Sequence, residues 1–572
     1  MMRALLQRWR AFFAQPEVRR DARIAALLAL IAVALYSPGI NWGMPLANAP
    51  GTTQSWGPDE IGPIGPIVEL RNNLGGNNLG NPQYPMFHYV FIFLFYLPYL
   101  VIQYLSGGLP HPHGGYPFGF SDPATSVQML MRISRLVSVL MGAGMAVCAY
   151  FMGRKLWDRL TGALAAVFVL LMYPMFYFAR TSNLDVPVTF WQSLVLLLFA
   201  LALSVRRVTT AQWLMMGIIT AIALATKEQS YGILLLLVFP LLAWHLRAVG
   251  RGGGGTWARW QAPLTALVVS GVFYAFASGL AIRPEKYFRH LEYVRAGSPS
   301  GRFYQEYTLT AGGLLGMARE CVYHLADALG WPILLAGVGG VVICALRREE
   351  RSRLFLLLPV PGLFFTVLAL VGYVELRYLL PWGLLLSLFA AAYVVAPALR
   401  ARAKALRATA LLFVVAACGW ALLRGLELQY LSWNDSRYAA ADWFAAHVRR
   451  EDLVAHPGAE RRIVLMPRFR TPFQRVSVEI PKTPVAGRDV FEEAEFVYLQ
   501  GKDDLTDFWH TPRWAYDGLL NGSLGYQLAA EFQTRARFAP QERHDSMQIF
   551  VNPRIVVFVR RDRARELVTG NR

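Results

Sequence analysis

The sequence predicts a mainly α, polytopic membrane protein of about eleven spanning helices, with a small external α/β domain at its C-terminal end. Three observations predict it. Of 572 residues, 55% are hydrophobic and only 16% charged, where an ordinary soluble chain carries roughly a quarter. Apolar runs such as 23–40, 160–178 and 379–396 are long enough, at about 1.5 Å rise per residue, to cross a hydrocarbon core roughly 30 Å thick. Each is expected to be helical, because a backbone facing lipid must satisfy its polar groups internally. Third, the composition changes after Arg424, where short β-type runs replace the long apolar ones.

Taken in order, residues 1–22 carry Arg8, Arg10, Arg19 and Arg20 and read as a cytoplasmic segment. The triplet Ala47-Asn48-Ala49 resembles a signal cleavage site, but it lies well past the apolar run. The first helix is therefore expected to stay uncleaved. Residues 23–428 form the membrane module. Its basic clusters, Arg154-Lys155, Arg206-Arg207, 247–251, 347–353 and 400–407, alternate with pairs of apolar segments, so all five can be cytoplasmic at once. The intervening turns then face outward: 41–125, 180–186, 226–230, 282–330 and 373–377. In this scheme the apolar run 86–105 has no place to cross and is expected to lie in the interface or re-enter. Residues 429–572 form the external α/β domain, with an amphipathic helix through 443–448 and strands at 462–466, 476–480 and 555–559.

The formal net charge of +19 would point to nucleic acid in a soluble protein. Here the excess sits in short loops, and no nucleic-acid-reading motif accompanies it. Cys148, Cys321, Cys344 and Cys418 are scattered, which fits neither a disulfide framework nor a Cys-based metal site. His111-Pro112-His113 lacks neighbouring acids, and the Gly252–Gly255 run lacks the Lys and Ser/Thr of a P-loop.

Ionisable residues beside a membrane are expensive, so those that gather on one side are the candidates for chemistry. The outward set is Asp59-Glu60, Tyr84 and His88, then Arg180, Asn183 and Asp185, then Lys227 and Arg377. A carboxylate such as Asp59 or Glu60 can take a proton from a hydroxyl. Lys227 and Arg377 can hold a phosphate, Arg through a bidentate fork and Lys as a point charge. Asp185 precedes Val186-Pro187 and can also cap a helix. His88 lies in an apolar aromatic run, where a buried histidine is the alternative to a ligand. A transporter or flippase would place charges in mid-span, whereas these sit at helix ends; a non-catalytic sensor or assembly protein would not need Asp59.

As an ordered set, the Asp59-Glu60 pair, the Tyr84-Pro85 segment, the 135–154 helix, Asn183-Leu184-Asp185-Val186-Pro187, Thr226-Lys227 and Arg377-Tyr378-Leu379-Leu380-Pro381 resemble the GT-C glycosyltransferases. They are most similar to the branch of protein O-mannosyltransferases and lipid A aminoarabinose transferases. The resemblance covers roughly residues 20–450. It implies an inverting transfer of a sugar from a polyprenyl-phosphate-linked donor to a hydroxyl of a lipid, glycan or protein, at the outer face of a bacterial inner membrane. It maps Asp59 to the base, Glu60 to its neighbour and Asp185 to a second acidic position that orients the acceptor or, in some branches, binds a metal. The 282–330 loop would cover the site, with Arg283, Lys286 and Arg289 near the carrier phosphate. Tyr84, His88, Arg180 and Asn183 are candidate substrate contacts. Gln83-Tyr84-Pro85 stands where relatives often carry Lys-Pro-Pro, so that lysine is absent. No cofactor motif is evident, and a divalent cation is left open.

Overall fold

In the computed structural model, residues 15–50, 52–75, 80, 83–205, 208–251, 255–296, 306–457, 474–478, 491, 493–501, 513–539 and 551–569 are described. The Arg206-Arg207 cluster, most of the Gly252–Gly255 run and the strand expected at 462–466 lie outside them. The chain divides into two compact units, Met1–Ile40 with Asp59–Gly425, and Asn41–Pro58 with Leu426–Arg572.

The first unit is helical. Among the described residues nine helices are long and apolar enough to cross a membrane, and a tenth span is reached if the pair Ala311–Leu329 and Trp331–Leu346, bent by 116°, counts as one. Two shorter apolar helices, Arg159–Leu170 and Thr210–Thr226, accompany them. Helix Phe87–Leu105, expected to lie in the interface, is by length and composition one of the nine. The span expected at 160–178 is broken: the helix ends at Leu170, and a separate turn, Met175–Phe178, follows Pro174. Proline has no N–H to give and its ring clashes with the preceding turn, so the helix cannot run through. The region expected as a 282–330 loop is also largely helical, as Pro284–Ala296 and Ala311–Leu329.

Helix Pro123–Leu156 packs closely against Arg159–Leu170. A Cβ on Gly153 would come within 2.7 Å of the Gly162 backbone, so these two positions tolerate only glycine. Helix Pro16–Tyr36 packs along the same helix, fixed by Tyr36, whose hydroxyl donates to the Leu170 carbonyl at 2.8 Å, and by Tyr150, which donates to Asp21 at 2.8 Å.

The second unit is built on a five-stranded mixed sheet, ordered β2-β1-β3-β5-β4, from β1 (Leu453–Pro457), β2 (Gln474–Val478), β3 (Phe496–Gly501), β4 (Tyr526–Phe532) and β5 (Arg554–Arg560). β1 runs parallel to β2 and β3, while β5 is antiparallel to β3 and β4. The central strands alternate between two cores, as the period of two demands. Val497, Leu499, Val556 and Phe558 pack with Ala515 and Leu519; Phe496, Tyr498, Ile555 and Val557 pack with Ala440 and Phe444 of helix Ser436–His447. Asn41–Pro58 belongs to this unit through Trp42, whose indole N–H donates to Asp435 at 3.0 Å, and through Trp56, which lies 4.1 Å under the Arg437 guanidinium.

Candidate active site

In the helical unit two loops are zipped together. The Ile61 N–H donates to the Ser182 carbonyl at 3.1 Å, and the Ser182 hydroxyl donates to the Ile61 carbonyl at 2.8 Å. The Glu60 carboxylate sits inside this zipper. Arg135 grips it with Nε at 3.0 Å and Nη2 at 2.9 Å, and the Ser182 N–H donates to Oε1 at 2.9 Å. Arg135 is itself wholly buried and also donates to the Ile40 carbonyl at 2.7 Å. A buried arginine in an apolar helix needs an anion beside it, and Glu60 is that anion.

Asp59, one residue earlier, has a left-handed backbone with φ of 59°. Aspartate is among the few non-glycine residues that adopt it readily. With Glu60 fixed, this turn directs the Asp59 side chain to a different partner, Arg377, whose Nη1 lies 2.7 Å from Oδ2. Arg377 stands in the turn Leu376–Leu379 that opens the helix from Leu380. Its Nε lies 3.8 Å from Asp185 Oδ2, too far for a hydrogen bond, and that buried N–H has no acceptor.

Asp185 opens helix Asp185–Leu203, where the helix dipole favours a carboxylate. Its own N–H is taken by the Asn183 side-chain oxygen at 3.0 Å, so Asn183, rather than Asp185, caps this turn. Lys227 follows the last residue of helix Thr210–Thr226, where the dipole favours a cation. Its ammonium donates to Asp185 Oδ1 at 2.7 Å. The Tyr378 ring lies under both cations, 5.1 Å from Lys227 Nζ and 5.6 Å from the Arg377 guanidinium.

Thus Asp59, Arg377, Asp185 and Lys227 form one chain of alternating charges. Partial burial raises the Asp59 carboxyl, but the Arg377 guanidinium and the Lys227 ammonium outweigh it and hold it below the usual carboxylate range. The Gln83 amide reaches both Asp59, at 3.5 Å, and the Tyr84 hydroxyl, at 3.1 Å. Burial and the Asp59 carboxylate push the Tyr84 phenol up.

Arg283 belongs to a neighbouring group rather than to this chain. It donates to the Asn72 carbonyl and, with Tyr84, Lys286 and His290, lines a small cavity. Lys286 pairs with Glu69, and His290 lies 3.4 Å from Glu228. Arg180 is buried against Gly39. His88 is buried beside Phe91, and neither ring nitrogen has a hydrogen-bond partner. The sequence reading missed the pairing of Arg135 with Glu60 and the place of Tyr378. A cation in the middle of an apolar helix was the available signal for the first.

Among the described residues no group of three or more His, Cys, Asp and Glu side chains is placed to hold a metal. Asp59 and Asp185 face each other across Arg377, with Lys227 behind, so the donor set is already neutralised by the protein's own cations. That arrangement does not fit a divalent ion.

Residues 128–279 match the family of dolichyl-phosphate-mannose-protein mannosyltransferases. The matched stretch contains Arg135, Arg180, Asn183, Asp185 and Lys227, and the match bears out the resemblance to the GT-C glycosyltransferases. No curated protein matches the sequence. Among solved structures, the oligosaccharyltransferase AglB from Archaeoglobus fulgidus, in complex with an inhibitory peptide and a dolichol-phosphate, is similar at 13% identity and a TM-score of 0.43, covering 92% of this chain and 74% of that one. ArnT from Cupriavidus metallidurans, bound to undecaprenyl phosphate, is similar at 13% identity and a TM-score of 0.43, covering 95% and 98%.

Proposed function

We propose that this chain is an inverting glycosyltransferase that moves a sugar from a polyprenyl-phosphate carrier to an acceptor hydroxyl at the outer face of a bacterial cytoplasmic membrane. The observation that carries the proposal is the charge chain: a half-exposed carboxylate, Asp59, held against a half-buried guanidinium, Arg377, with Lys227 behind it. The match to a family named for a lipid-phosphate sugar donor supports the same chemistry.

In this reading Asp59 takes the proton of the acceptor hydroxyl. The acceptor oxygen then attacks the anomeric carbon from the side opposite the carrier, and the bond from that carbon to the phosphate oxygen breaks. Negative charge grows on the departing phosphate, and Arg377 and Lys227 are the fixed cations that stabilise it. Glu60 holds the Asp59 turn through Arg135, and Asp185 keeps Lys227 in place. Arg283, Lys286 and Tyr84 contact the carrier or sugar from the adjoining cavity, while Asn183, Arg180 and His88 shape the wall. The acceptor is a lipid, glycan or protein, and residues 429–572 are an extracytoplasmic domain.

The test is glycosyl transfer by purified protein in nanodiscs, with a panel of polyprenyl-phosphate sugars and candidate acceptors. Turnover with one donor that gives the inverted anomer supports the reading and identifies the sugar. A retained anomer, or movement of a lipid-linked substrate across liposomes without turnover, refutes it.

A further inference from the structure

We infer that the Asp59–Arg377 ion pair is a latch opened by the donor: the carrier phosphate takes the place of Asp59 on Arg377 and so releases the carboxylate for the acceptor hydroxyl. The inference rests on the proposed roles of Asp59 and Arg377. It involves no covalent step, only an exchange of one anion for another on a guanidinium.

The geometry points to Asp59 as the anion that moves. Its side chain is 36% exposed, against 16% for Arg377, 7% for Lys227 and 4% for Asp185. An incoming anion therefore meets the Asp59 end of the chain first. Asp59 is also tied by a single short contact, the 2.7 Å bond from Arg377 Nη1, because the Gln83 amide at 3.5 Å is at the limit of hydrogen bonding. Asp185, by contrast, is gripped by Lys227 at 2.7 Å and buried. Release needs no backbone movement, since Glu60 stays locked to Arg135 and Ser182 while the Asp59 side chain rotates.

Arg377 has capacity that Asp59 does not use. Asp59 takes only its Nη1, and a phosphate can engage Nη1 together with Nη2 on the outer edge of the guanidinium at once. Exchange therefore replaces one charge-assisted bond with two. The charge balance supplies the consequence. Two acids and two cations sum to zero before the donor arrives; afterwards the phosphate neutralises Arg377, and Asp59 becomes the surplus anion beside it. A carboxylate that loses its cation and gains an anionic neighbour holds a proton more strongly. The base thus strengthens when a donor is in place.

The test measures binding of undecaprenyl phosphate to the full-length protein in nanodiscs by calorimetry, with transfer assayed on the same preparations. The latch predicts that Asp59→Asn binds the carrier about tenfold more tightly than wild type, while losing transfer. In an Arg377→Gln background the gain from Asp59→Asn disappears, because the competition is for that guanidinium. Equal or weaker binding by a transfer-dead Asp59→Asn overturns the latch and leaves the glycosyltransferase reading standing. So does a gain that persists without Arg377, which would be plain removal of a negative charge. Wild-type protein that does not bind the carrier, or an Asp59→Asn variant that transfers as well as wild type, overturns the reading itself.

Discussion

Helix Pro123–Leu156 carries two ion clusters, and they are built on opposite principles. From Arg135 to Arg154 it rises about 28 Å at about 1.5 Å per residue, close to the roughly 30 Å of a hydrocarbon core. At the Arg154 end, Asp21 is saturated: Oδ1 accepts from Tyr150 at 2.8 Å and Arg159 at 2.6 Å, and Oδ2 accepts from Arg154 at 2.8 Å. At the Arg135 end, Glu60 is saturated in the same way, but Asp59 beside it keeps one strong partner, and that partner has a spare N–H. Saturated ions fix helices. An unsaturated pair, open to solvent on one side, can exchange partners with a substrate.

The largest expected effect breaks this contrast at the open pair. Asp59→Asn keeps the shape and removes the base, so kcat should fall by about 10²–10⁴-fold, with the thermal midpoint nearly unchanged. The pH profile sharpens the point. The free-enzyme carboxyl is held below the usual range, against the upward push of burial, chiefly by Arg377. A lowered value keeps the base ionised to lower pH, so the acid limb of kcat/KM for the donor should lie below the range of an ordinary aspartate. An acid limb near pH 6 would mean that some other group titrates there.

Glu60→Gln tests the saturated neighbour. It leaves Arg135 buried without an anion, which should cost about 3–5 kcal/mol, read as a large drop in the thermal midpoint in detergent. If Glu60→Gln were as stable as wild type and only kcat fell, Glu60 rather than Asp59 would be the base.

These contrasts separate what was legible in the sequence from what was not. Asp59, Asp185, Lys227 and Arg377 were readable because each is a charge at the end of an apolar run, where lipid tolerates it only for a reason. Their order along the chain carried the resemblance. Their pairing was not readable, since Arg377 meets Asp59 across more than half the chain and a single sequence shows no such contact. Nothing local assigns Glu60 to Arg135 and its neighbour to Arg377; the left-handed turn at Asp59 does that. The helical elements were legible from apolar length, but the break before Met175 turned on one proline inside an otherwise continuous apolar run. In the second unit the strands Gln474–Val478 and Arg554–Arg560 overlap the expected runs, while β3 and β4 fall outside them.

Lys227 lies between the two kinds of ion, bonded to Asp185 yet part of the open chain. Lys227→Met should orphan Asp185 next to Arg377, draw that guanidinium toward it, and remove one of two cations facing the phosphate. The expected loss is about 10–100-fold in kcat/KM for the donor. If only stability fell, Lys227 would belong with the saturated ions.

The smallest effect is expected at the far end of the helix. Asp21→Asn retains an oxygen for Tyr150 or an arginine but loses the charge that gathers Arg154 and Arg159. It should lower stability by about 1–2 kcal/mol and leave kcat and the donor KM within about twofold, since mutations this far apart act independently. A large fall in kcat without loss of stability would show that the two clusters communicate along helix Pro123–Leu156. The division between ions that hold the helices and ions that act on substrate would then have to be abandoned.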